Sequence, residues 1–172
     1  PISRMLRGKY DYLVAHAIIS AEELDLATRT ARRKNVDVET VLMDEFDTQP
    51  EAIGQALSAY FGVPYERFSA ERVKPIDLFK NMSREFIESS MWLPLEDSKD
   101  GIVILTTDPE RVHSSRIVNT IYPKSKIVYR VCTVRDFKQT VDQFFAGTVA
   151  ILDGASIGDL LSDMDDEVLD DA

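Results

Sequence analysis

From Tyr10 to Gly62 the apolar residues recur at intervals of three and four, the spacing that lines up side chains on one face of a helix. Leu13, Val14, Ala17 and Ile18 mark a first face, and Val38, Val41, Leu42 and Phe46 a second. Ile53, Ala56, Leu57, Tyr60 and Phe61 mark a third. Ser20 with Glu23, and Thr48 with Glu51, have capping-box spacing, which would satisfy free backbone donors in a first helical turn. Gly62, with Pro64 two residues on, ends the helical run.

The run also repeats. At an offset of 29 residues Leu13 falls on Leu42, Val14 on Met43, Leu24 on Ile53, Ala27 on Ala56 and Thr28 on Leu57. Two copies of one helix-turn-helix would pack as a four-helix unit.

After Pro64 the period changes. Ser83 is placed to cap a helix carrying Phe86 and Ile87, and the runs MWLPLE and GIVILTT predict two strands joined by a turn over Asp97 to Gly101. Asp108-Pro109-Glu110 opens a helix with Val112, Ile117, Val118 and Ile121 for burial. Lys126 to Cys132 predicts a third strand, and Thr133 starts a last helix through Val134, Phe137, Val141, Phe144 and Phe145. The expected fold class is α+β: a helical repeat unit over residues 1–65, a small α/β subdomain of order β-β-α-β-α over 66–146, and an acidic flexible tail or linker over 147–172.

Composition narrows the function. The 172-residue chain is 44% hydrophobic, enough for a real core. Its formal charge of −10 is concentrated: eight acids and no Lys or Arg lie between Gly147 and Ala172, which leaves −2 for the rest. A nearly neutral body with interspersed charges is a poor nucleic-acid surface, since phosphate contacts need clustered Lys and Arg. Apolar runs such as Val149 to Leu152 are too short for direct membrane insertion, and no leader pattern stands at the N-terminus, so a cytoplasmic protein is expected. The single cysteine, Cys132, lies in the apolar run KIVYRVCT and reads as a buried small residue.

Motifs for catalysis are missing. Arg7-Gly8-Lys9-Tyr10 lacks the upstream glycine and the hydroxyl residue of a phosphate-binding P-loop. His16 and His113 have no second ligand one helical turn away, no GxSxG elbow is present, and Cys132 has no nearby His to activate it. No catalytic, cofactor or metal site is expected. Asp44 and Glu45 read as the wet side of a helix. Arg29, Arg32 and Arg33 form a basic ridge on the second helix, with two readings open: a solvated face, or a contact for an acidic partner.

The stretches ISAEELDLATRTARR, VETVLMDEF and AIGQALSAYFGVPYERF, between Ile19 and Phe68, resemble the N-terminal domain of type II secretion and type IV pilus assembly ATPases. The resemblance continues in order through FKNMSREFIESSMWLPLEDSKDGIVILTTDPERV, where Leu93-Pro94-Leu95 and Asp108-Pro109 match family features, and into the acidic run after Ser156 to Leu161. It implies a non-catalytic adaptor that docks the motor to inner-membrane platform or cytoplasmic assembly proteins, with a C-terminal ATPase domain carrying the Walker motifs as a second partner. An equivalent front domain of a glycosyltransferase or a signalling protein is the alternative attachment. Some family members bind cyclic di-GMP through two tandem motifs beginning Arg-Leu-Gly. By the 29-residue repeat those positions hold Gly8-Lys9-Tyr10 and Asp37-Val38-Glu39, with Ala17 and Phe46 where the motif's later glycine stands. The phosphate-binding arginines are absent, and Asp37 and Glu39 would repel an anionic ligand, so the sensing alternative is not expected.

Overall fold

The computed structural model describes the backbone of residues 8–152 and the side chains of residues 8–146. The tail expected over 147–172 lies outside the fully described residues. Eleven elements follow in order among the described residues: α1 (Asp11–Ala15), α2 (Ala21–Lys34), α3 (Val38–Glu45), α4 (Pro50–Phe61), α5 (Arg84–Ser90), β1 (Trp92–Ser98), β2 (Gly101–Thr106), α6 (Pro109–Ser115), α7 (Ile117–Ile121), β3 (Ile127–Val131) and α8 (Val134–Leu152). A 3₁₀ turn, Ile76–Phe79, precedes α5. The class is α+β, as the pattern predicts.

The helical repeat is present. α1 packs on α4 and α2 on α3, so the first helix of each copy meets the second helix of the other. Equivalent residues do equivalent work: Leu13 and Leu42 are fully buried, as are Ala27 and Ala56. Ser20 and Gln49, 29 residues apart, are the N-caps of α2 and α4. A buried Leu contributes about 1.5–3 kcal/mol relative to an exposed one, so the paired leucines anchor the shared core.

Local chemistry explains the ends. Ser20 and Glu23 form the full capping box. The second box does not form: Pro50 is the first helical residue of α4, so the N-cap is Gln49, and Thr48 lies buried one residue too early with its hydroxyl unpartnered. Glu51 instead accepts a hydrogen bond from Gln55 Nε2. The first apolar face is also shorter than expected. Helix α1 stops at Ala15, Ala17 is exposed in the left-handed region (φ 56°), and the chain buries Ile19 rather than Ile18.

The three strands run in spatial order β1-β2-β3, with β1 antiparallel to β2 and β2 parallel to β3. Parallel pairing requires a crossover, supplied by α6 and α7. The single helix expected there is broken at Arg116, which sits in the left-handed region (φ 62°) between the two. Trp92, Ile102, Ile104, Val112 and Val118 form one core, with Phe86 and Tyr122 packed on it. Val131, the last residue of β3, belongs to the helical core, so the sheet and the repeats share packing.

Two compact units result. The first holds the described residues to Phe68 together with Pro75–Phe137, and therefore both the repeats and the sheet. The second holds Ser69–Lys74 and the described residues from Lys138. Within the second, Gln143 Nε2 donates to the Ser69 carbonyl and the Lys74 ammonium lies 4.2 Å from the centroid of the Phe145 ring.

Gly54 shows how close the packing is. A Cβ at this position of α4 would fall 2.3 Å from the Tyr65 ring. Gly54→Ala is expected to lower stability by about 1–3 kcal/mol through overpacking, despite the better helix propensity of Ala. Urea denaturation checks this, and an unchanged midpoint would mean that Tyr65 moves aside freely.

Candidate functional site

Strand β3 ends at Val131, and the chain turns through Cys132 and Thr133 into α8. The opening of a helix exposes four N–H groups that its own backbone cannot satisfy. Thr133 and Asp136 satisfy two reciprocally: Thr133 Oγ1 accepts from Asp136 N at 3.0 Å, and Asp136 Oδ2 accepts from Thr133 N at 3.3 Å. Asp136 also accepts from the Tyr65 hydroxyl at 2.9 Å and from Phe68 N at 3.0 Å. A third donor, Val134 N, reaches across the fold to Glu39 Oε1 at 2.8 Å.

Glu39 lies on α3 and is 3% exposed. Its other oxygen accepts a long hydrogen bond, 3.4 Å, from the Tyr10 hydroxyl. Burial pushes the Glu39 carboxyl up to about 7. The Val134 N–H pulls it back, Asp37 pushes it further, and Lys9 and Tyr10 lower it again. Burial, and then the Glu39 charge, hold the Tyr10 phenol far above its ordinary range. Tyr65 is raised in the same way by burial and by Asp136.

Tyr10 and Glu39 are 29 residues apart, so they occupy the same position in the two repeats. The repeat thus brings together the two residues that stand at the third place of the Arg-Leu-Gly motif in the resembling family. The later motif glycine corresponds to Ala17 in the first copy, where the backbone is left-handed (φ 56°). In the second copy the left-handed residue is Asp47 (φ 53°) rather than Phe46, which closes α3 with φ −117°. The turns of the two copies therefore differ by one residue, a shift that a gapless repeat could not reveal.

The basic ridge is exposed. Arg32 and Arg33 sit in the last turn of α2, where cations complement the helix dipole. Arg29 pairs with Asp25 at 3.0 Å, an exposed pair one helical turn long. Leu26 is 44% exposed and precedes Arg29 and Arg33 by three and seven residues, which places all three on one face. His16 is exposed and stacks on Tyr12 with ring centroids 4.1 Å apart. His113 is exposed and meets Tyr129 edge to face, while Cys132 is fully buried. Among the described residues no three His, Cys, Asp or Glu gather as a metal site would need, and no helix is long and apolar enough to cross a membrane.

Sequence reasoning missed the structural part played by Glu39. Its contact with Val134 spans 95 residues, yet half of the signal was local: an acid placed among Val38, Val41 and Leu42, opposite a Tyr in the repeat register.

Tandem helix pairs joined to a three-stranded sheet, with a buried carboxylate at the start of the last helix, define an α+β module. Residues 61–151, just over half of the chain, match the model of the family described as MshEN domain. The chain belongs to that family. No curated protein matches it. Its fold is similar to a structure described as MshE with cdg, with a TM-score of 0.61 at 15% identity, covering 81% of this chain and 99% of that one. It is similar also to the N-terminal domain of XpsE, with a TM-score of 0.52 at 10% identity, covering 81% of this chain and 97% of that one. Family and fold agree with the resemblance to N-terminal domains of secretion and pilus ATPases drawn from the sequence.

A raised carboxyl makes a signed prediction. Between its ordinary value of 4.5 and its folded value of about 7, Glu39 is protonated in the folded chain and ionised in the unfolded one. Its contribution is complete below 4.5 and is lost as pH rises toward 7, a change on the order of 3 kcal/mol. Glu39→Gln retains a carbonyl for Val134 N and removes the titration. Urea melts from pH 4.5 to 8 should show a flatter profile for the variant and higher stability than the parent at pH 8. Parallel profiles would sink the assignment.

Proposed function

We propose that this chain is the non-catalytic N-terminal module of a type II secretion or type IV pilus assembly ATPase, and that it docks the motor to an inner-membrane platform or cytoplasmic assembly protein. Membership of the MshEN family and the fold shared with the N-terminal domain of XpsE support the attachment. The observation that carries the docking reading is the outer face of α2. Leu26 and, just beyond the helix, Val36 are each 44% exposed, alongside Arg29, Arg32 and Arg33. Exposed apolar side chains among arginines suit a partner surface that is acidic and partly apolar, since Arg and large apolar residues carry much of the energy at interfaces.

Cyclic dinucleotide sensing has less support. MshE is described with cdg. Here the equivalent repeat positions carry Tyr10 and a buried carboxylate already engaged with Val134. Ligand binding to the folded state would raise the melting temperature. Thermal melts with saturating cyclic di-GMP are expected to leave it unchanged, and a rise would restore the sensing reading.

Docking is tested in the native cell with the full-length protein carrying a photo-crosslinking residue at position 26, or at the exposed strand position Glu96 as control. Crosslinks to a platform or assembly protein are expected from position 26 alone. The double substitution Leu26→Glu, Arg33→Glu should lower recovery of that partner by about tenfold or more. Identical crosslinks from both positions would count against the face.

A further inference from the structure

Helix α2 carries its charges in two blocks. Glu22, Glu23 and Asp25 stand in its first half and Arg29, Arg32, Arg33 and Lys34 in its second, all of them exposed. The macrodipole favours that order along any helix. On an exposed face it has a second effect, because a helix with acids first and bases last is its own electrostatic complement when reversed. Arg32 and Arg33 form no ion pair among the described residues, so their charge is available to another molecule.

The exposed side chains follow the same symmetry. Glu22, Leu26, Arg29 and Arg33 are spaced by four, three and four residues, the interval that keeps a seam of side chains facing a second helix. This seam is exposed, while Ala27, Thr30 and Ala31 form the buried face. Two further exposed aliphatic residues flank the helix, Ile18 before it and Val36 after it. Reversing the helix about its middle exchanges Ile18 with Val36 and Glu22 with Arg33, and sets Leu26 beside the apolar stem of Arg29. Charge decides the orientation. Two α2 helices packed in parallel bring Glu22 against Glu22 and Arg33 against Arg33, which is repulsive. Packed antiparallel, each Glu22 meets the second molecule's Arg33, and each Asp25 lies toward its Arg32.

We propose that the outer face of α2 is a self-association surface, on which a second molecule of this chain packs its own α2 antiparallel about a twofold axis between Leu26 and Arg29. A helix of 14 residues is about 21 Å long, and a contact of that length falls short of the roughly 1,200 Å² that stable interfaces bury. The dimer is therefore weak, reversible and sensitive to salt. A second molecule and a platform partner would exclude one another on this face, a consequence that rests on the docking reading, whereas the self-association does not.

Sedimentation equilibrium of the purified chain, with no partner present, tests this. The weight-average mass should rise with protein concentration from the monomer value toward twice that value, and salt at about 0.5 M should weaken the association by about tenfold. Glu22→Arg or Arg33→Glu alone places like charges opposite one another at both ends of the contact and should weaken it by about tenfold. The two substitutions in one chain restore opposite pairs and should restore the dimer. Both positions are exposed, so thermal melts should show all three variants folded. A mass that stays at the monomer value up to about 1 mM would overturn the proposal. So would single variants that associate as the parent does, or a double variant as weak as the singles. Each of these outcomes leaves the crosslinking test of docking untouched, since that is read in cells from a different protein.

Discussion

The N–H groups that open a helix must find acceptors, and at the start of α8 they find them in two carboxylates of different origin. Asp136 closes a capping box with Thr133 and at the same time holds the Tyr65 hydroxyl and the Phe68 amide. Glu39, from the second helical repeat, takes the Val134 amide. The macrodipole and the hydrogen bonds favour negative charge at this end of a helix, but at Glu39 burial outweighs them. The helical repeats, the segment after α4 and the exit from β3 therefore meet through one helical turn. Neither acid is a passive spacer: replacing it with an apolar residue would leave buried amide donors without acceptors, a larger loss than the bond itself contributes.

The repeat gives this junction its geometry and removes its symmetry. Two copies that pack first helix on second bring equivalent positions face to face, and a self-contact between identical residues is the simplest outcome. Here the positions have diverged into a phenol and a carboxylate, Tyr10 and Glu39, which form a donor and acceptor pair. The carboxylate, in the second copy, also accepts from Val134 N of α8. At this point of the repeat interface the contacts are made by the chain's own side chains.

Features set by near neighbours were readable in the sequence. Ser20, Ser83, Asp108 and Thr133 each cap the helix that their spacing predicts, because a cap is decided within four residues. The repeat was readable as well, since its signal lies in apolar residues whose burial both copies share. Thr48 misled because Pro50 fixes where α4 starts and shifts the cap to Gln49. The break at Arg116 had no visible mark, as a left-handed arginine carries none of the compositional signal that a glycine would. The contacts of Glu39 and the packing of Phe86 and Tyr122 on Trp92 join residues from separate elements, and no local pattern encodes such meetings. The exposed arginines of α2 were legible as a face, and their placement agrees with both of the readings the sequence left open.

The borders of the sheet have a bearing on how this module meets other molecules. Strand β1 lies on one border and carries Pro94, an irregular register between Pro94 and Glu96, and the exposed acids Glu96 and Asp97. Proline, bulges and charge all discourage an incoming strand. The opposite border is covered near its end, where Val131 N donates to the Pro64 carbonyl and Glu66 N donates to the Val131 carbonyl. At these positions both borders are poor templates for an incoming strand, which discourages growth into fibrils. Exposed helical side chains such as Leu26 and Arg33 meet no such obstacle.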